Sequence, residues 1–180
     1  MREGILALYD TTEIQKYVYS SNKLKDNIGA SELVDKCFKE FLVETIKEVC
    51  LGKAKIKWSE DKSWRFQNDS QLKAEIVYIG GGNALVAIDN ENTWKDINYK
   101  FGQKLLVEAR GLNFVTVCTK ITNSFKNDLD KLFTSINEKK YNYRKINGVK
   151  GLSITKECAI TKNTATSIAN EKSLSFSIAL

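Results

Sequence analysis

Asp10 follows the chain's first apolar run, Gly4-Ile5-Leu6-Ala7-Leu8-Tyr9, where it would serve either as an oxygen ligand for a hard cation or as the cap of the next helix. A second feature is Gly80-Gly81-Gly82-Asn83, set between the apolar runs Ala74 to Ile79 and Ala84 to Ile88. Glycines permit positive φ, so this segment reads as a tight hairpin turn. Three glycines exceed what a two-residue turn requires, and bare backbone also lets a phosphate approach closely. Lys23 and Lys25 are either phosphate contacts beside that turn or solvated cations. A third feature is the interleaving of Trp58, Trp64 and Phe66 with Lys55, Lys57, Lys62 and Arg65. This mixture suits stacking on single-stranded bases, or else an amphipathic hairpin laying its aromatics on a core.

Other chemistry is excluded by composition. The chain has no histidine, which removes Ser-His-Asp and Cys-His nucleophiles and the commonest general base near neutral pH. Cys37, Cys50, Cys118 and Cys158 stand far apart, without the close ligand pairs of a structural zinc site. Cys37 and Cys118 fall on apolar faces and read as inert core thiols. Any catalysis must therefore use metal, carboxylate or lysine. A net charge of +6 favours polyanions such as RNA or nucleotides.

The elements that must position these residues follow from periodicity. With 180 residues, 42% hydrophobic and 28% charged, the chain fits one domain with a real core. No apolar run approaches the roughly 18 residues needed to cross a bilayer, and the N-terminus does not read as a secretory signal, so no membrane partner and a cytoplasmic location are expected. Gly4 to Tyr9 predicts a central strand ending on Asp10. A short helix over Ile14 to Tyr19, a polar connection over Ser20 to Asn27 and a helix from about Ser31 to Val49 follow. Residues 53–67 read as a two-stranded ribbon, and the glycine hairpin comes next. A helix over Asn92 to Arg110 buries Trp94, Ile97, Phe101 and Leu105, and Phe114 to Cys118 returns as a strand. A helix over Ser124 to Tyr141 uses Phe125, Leu129, Leu132, Phe133 and Ile136 as its buried positions, and the basic stretch Lys139 to Lys145 follows it. Leu174 to Leu180 alternates as a terminal strand. The order predicts an α+β, ferredoxin-like (βαββαβ) domain over residues 1–150 with a small β-ribbon insertion, and a C-terminal extension over 151–180.

Tyr78-Ile79-Gly80-Gly81-Gly82-Asn83-Ala84-Leu85 resembles the Gly-Gly-Asp-Asp hairpin of type III CRISPR large subunits and of diguanylate cyclases. Gly82 and Asn83 stand where that hairpin has its two aspartates. Asp10 to Tyr19, Lys23-Leu24-Lys25 and Gly29 to Val34 are similar to the start of a palm domain in the CRISPR subunit, a combination that diguanylate cyclases lack. Gly151 to Cys158 resembles the segment leading out of such palms, so the resemblance covers roughly residues 4–160.

That resemblance implies a palm of the nucleotidyl cyclase/polymerase type. The family pairs two palms, of which one keeps the acidic turn and converts ATP to cyclic oligoadenylates. Carried to this chain, it implies a catalytically degenerate palm that binds a nucleotide or docks with a catalytic palm in antiviral defence. Asp10, Thr11, Lys23, Lys25, Ser31, Gly80, Gly81, Gly82 and Asn83 would form the nucleotide site, for ATP or a cyclic oligonucleotide, with Mg²⁺ as the accompanying ion. A second palm or a second copy of the chain would be the protein partner. One alternative is an active cyclase or oligoadenylate synthase using Asp10 and two Mg²⁺ ions, with a further acid from Glu13, Asp89 or a partner. Another is a single-stranded RNA-binding module using Lys55, Lys57, Trp58, Trp64 and Arg65.

Overall fold

The computed structural model describes residues 2–57, 64–141, 165–171 and 174–179. Strand β1 (Ile5–Thr12) lies in a five-stranded sheet with β2 (Ala54–Lys55), β3 (Ala74–Gly80), β4 (Asn83–Ile88) and β5 (Asn113–Lys120), in the order β2-β3-β4-β1-β5. The last four of these neighbours pair antiparallel, while β2 joins the edge in parallel, so the sheet is mixed. Between β1 and β3 the chain runs through helices α1 (Ile14–Val18), α2 (Leu24–Lys36) and α3 (Val43–Cys50), and between β4 and β5 through α4 (Glu91–Glu108). Each crossover skips one strand. The chain is therefore α+β, with an order compatible with a ferredoxin-like fold.

The unbroken apolar run of β1 has a physical reason: both of its faces are covered. Ala7 and Tyr9 pack with Phe38, Ile46, Val86, Ile97 and Phe101 beneath α3 and α4. Leu6 and Leu8 pack with Phe66, Leu85, Val117, Leu132 and Ile136 beneath helix α5 (Phe125–Tyr141). Two cores thus sandwich the sheet. Between α2 and α3 the helix widens into a π-helical turn, Cys37–Leu42, in which Cys37, Phe38, Phe41 and Leu42 are all buried. Burial pushes the Cys37 thiol up to about 12 and the Cys50 thiol up to about 11, and raises that of Cys118. These are core thiols of low reactivity.

Several elements differ from expectation. β1 does not end on Asp10 but continues to Thr12, because its pairing with β5 reaches Asn113. The long helix starts at Leu24, not about Ser31. Helix α2 has no buried residue, so its first turns lack the apolar stripe that would reveal them. In α5 the buried line is Asp128, Leu132 and Ile136, whereas Phe125 and Phe133 are nearly half exposed. The ribbon is not formed as expected: Lys55 pairs with β3, and Trp64 to Gln67 carry no strand, while residues 58–63, including Trp58 and Lys62, lie outside the described residues. Burial of Phe66 in the second core explains the difference, since that ring is held by tertiary packing. Strand β7 (Leu174–Ala179) agrees with the expected terminal strand and pairs with β6 (Ala165–Glu171) in a separate two-stranded sheet. Gly151 to Cys158 and residues 142–145 of the basic stretch lie outside the described residues.

Candidate functional site

The glycine segment forms the β3–β4 turn. Gly80 pairs with Asn83, leaving Gly81 and Gly82 as the two turn residues, with φ of 60° and 82°. Positive φ at both positions defines the primed hairpin turn that suits strand twist. The turn is fastened to β1, since the Thr11 N–H and hydroxyl both donate to the Gly82 carbonyl, at 3.0 and 2.9 Å. A Cβ on Gly82 would stand 3.0 Å from both Thr11 Oγ1 and Ile14 Cδ1, whereas the corresponding place on Gly81 is open. A side chain at Gly82 would thus crowd Thr11 and Ile14, and Gly81 presents bare backbone. Among the described residues, no acceptor meets the N–H of Gly81 or Gly82.

Beside this turn lies a groove of about 240 Å³ between the hairpin and the α2 helix. The hairpin contributes Ile79 to Asn83, and the helical wall contributes Ser31, Val34, Asp35, Phe38 and Lys39. The structure therefore brings together Ser31, Gly80, Gly81, Gly82 and Asn83 of the expected site. It adds Asp35 and Lys39, joined by a 2.5 Å ion pair at i, i+4. Their helical spacing from Ser31 is legible in the sequence, but it gained meaning only once α2 was seen beside the hairpin. The π-helical turn carries Phe38 and Lys39 into this wall.

The remaining expected residues are elsewhere. Thr11 is 3% exposed and spends its hydroxyl on the turn, so it shapes the site from beneath. Asp10 pairs in register with Asn83, and by strand alternation it shares the α5 side of the sheet with Leu6 and Leu8. There its carboxylate accepts a hydrogen bond from Lys140, and the neighbouring Lys139 donates to the Thr116 carbonyl at 2.8 Å. Asp10 does not cap a helix: the residue before α1 is Glu13, in the left-handed region at φ 54°. Lys23 precedes α2 and Lys25 lies in its first turn, and neither lines the groove. Among the described residues, no group of three His, Cys, Asp or Glu side chains is arranged to hold a metal ion.

Of the expected RNA surface, Lys55 and Trp64 have structural partners, while Trp58 lies outside the described residues. Lys55 and Glu75 form a buried ion pair at 3.0 Å. Glu75 also accepts from the Arg65 and Phe66 N–H groups, at 3.0 and 2.5 Å. Trp64 packs edge-to-face on Phe125, with centroids 5.6 Å apart. Glu75, which organises this segment, was invisible as such in a strand sequence. No helix among the described residues is long and apolar enough to cross a membrane. No protein-family model matches the chain, and no curated protein matches it.

Proposed function

We propose that the chain is a palm-like domain, degenerate for two-metal catalysis, that binds the phosphates of a nucleotide in the groove between the glycine turn and α2. The observation that carries the reading is a groove lined on one side by Gly81 and Gly82, whose N–H groups meet no acceptor among the described residues, and on the other by Ser31 and Lys39. Adjacent backbone donors in a turn favour anionic oxygens, and a hydroxyl and an ammonium add further donors. Catalysis is left out because Asp10 already answers Lys140 and its neighbour across the ladder is the uncharged Asn83. The likeness to the turn and N-terminal segments of type III CRISPR palms supports ATP or a cyclic oligoadenylate as the nucleotide. Calorimetric titration with ATP, with and without Mg²⁺, tests the reading. Saturable binding weakened by Lys39→Ala is expected, and absence of binding under both conditions would reject it.

A specific observation favours a second reading, docking on another palm. Tyr19, Leu24 and Ile28 are all more than half exposed, and the last two stand one helical turn apart on α2. Light scattering of the chain alone and mixed with a catalytic palm tests this, with Ile28→Asp expected to abolish the complex.

A further inference from the structure

At the end of the sheet away from the glycine turn, the segment Trp64 to Gln67 and the loop after β5 border an open pocket of about 320 Å³. Trp64, Gln67, Ile121, Thr122, Asn123 and Phe125 line it. Both walls are fixed by hydrogen bonds. The Ile121 N–H donates to the Gly4 carbonyl at 2.9 Å, and the fully buried Asp128 carboxylate accepts from the Thr122 N–H and hydroxyl at 2.7 and 2.8 Å. Opposite, the Arg2 guanidinium donates to the carbonyls of Phe66, Asp69 and Leu72 and lies 4.3 Å from the Phe66 ring centre. A Cβ on Gly4 would stand 2.6 Å from that ring, so the glycine permits the close approach.

Two donors in these walls are left over. Trp64 Nε1 and Gln67 Nε2 are closed to solvent and meet no acceptor. The orientation of the Gln67 amide is set by chemistry, because its Oε1 accepts from the Arg2 N–H at 3.0 Å and the NH₂ half is therefore the unpaired one. Buried donors without partners are uncommon, and what both of these lack is an acceptor oxygen. The remaining wall is apolar and aromatic, with Trp64 and Phe125 meeting at 84°. All six lining side chains are uncharged, which disfavours an ion.

We infer that this pocket binds a neutral, flat small molecule that carries a carbonyl, with its ring against Trp64, Phe125 and Ile121 and its oxygen accepting from Trp64 Nε1 and Gln67 Nε2. Both nitrogens are closed in the present side-chain arrangement. Binding is therefore coupled to a small turn of the Trp64 or Gln67 side chain, which the partial exposure of both residues allows. The site is independent of the glycine-turn groove.

The test uses two probes that differ in the acceptor, acetophenone and ethylbenzene, followed by amide and indole N–H resonances of the whole chain. Acetophenone is expected to move the Trp64 indole N–H and the Gln67 side-chain NH₂ in a saturable way, while ethylbenzene leaves those signals in place. Trp64→Phe keeps a ring and drops the donor, and roughly tenfold weaker acetophenone binding is expected. Gln67→Glu keeps the acceptor for Arg2 and removes the NH₂, and gives an independent second variant with the same expectation. Equal responses to the two probes, no response to either, or unchanged affinity in both variants would overturn the inference.

Discussion

The ammonium of Lys140, in the last turn of α5, donates to the carboxylate of Asp10 on β1, 130 residues earlier in the chain. This contact ties the end of α5 to the sheet. It also supplies at Asp10 the positive charge that a cation would otherwise bring. Lys140→Ala leaves a half-buried acid without its partner and is expected to cost about 1 kcal/mol. Adding Asp10→Asn to that variant should recover part of the loss, because the orphaned charge is gone. Urea unfolding of both single variants and the double variant checks the coupling.

Glu75 should matter more. Its carboxylate meets the Lys55 ammonium and two backbone N–H groups, with Glu75 and Lys55 side chains only 4% and 10% exposed. Glu75→Ala takes the carboxylate away from the Lys55 ammonium and from the Arg65 and Phe66 N–H groups, an expected loss of about 3 kcal/mol. Chemical denaturation measures it, and a loss below about 1 kcal/mol would contradict the assigned role.

The two turn glycines should respond differently to a methyl group. Gly82→Ala meets Thr11 and Ile14 at a φ of 82° and is expected to cost about 2 kcal/mol. Gly81→Ala enters open space and carries only the left-handed backbone cost of about 1 kcal/mol. Thermal unfolding should rank Gly82→Ala clearly below Gly81→Ala.

The buried thiols make stability fall in alkali. Below the ordinary thiol value of 9.0 the Cys37 thiol is protonated in both folded and unfolded chains, so its contribution is intact. Between 9.0 and about 12 the unfolded chain loses the proton while burial keeps it on the folded one, and stability declines with rising pH. Cys50 and the fully buried Tyr9, both raised by burial, act in the same direction. Urea midpoints at increasing pH above 9 should fall, and Cys37→Ala should flatten the slope.

The order of strands and helices along the chain was legible because β1, β3, β4 and β5 are apolar runs separated by turn glycines or amphipathic helices, whereas the edge place of β2 was not. Asn83 and the glycines announced the hairpin, and Ile97, Phe101 and Leu105 announced the core face of α4. Three features were not legible, for physical reasons. Leu24 and Ile28 face outward, so no periodic stripe marked the start of α2. Phe66 is held by contacts with residues remote in sequence, which local alternation cannot separate from a strand. The partner of Asp10 lies in the basic run that begins at Lys139, and nothing local links the two. The groove shows the same division. Gly80 to Asn83 and Ser31 were found by motif, whereas Asp35 and Lys39 required the packing of α2 against the turn.

The central claim, a phosphate-binding groove at the glycine turn, is tested most directly by the affinity of ATP for the intact chain and for Lys39→Ala. The ion pair of Lys39 with Asp35 is exposed and contributes at most about 0.5 kcal/mol to folding, so the variant should remain folded. Saturable binding to the intact chain and about tenfold weaker binding to the variant are predicted, as for loss of one charge-assisted hydrogen bond. Equal affinities in the two proteins, or no binding to either with or without Mg²⁺, would contradict it.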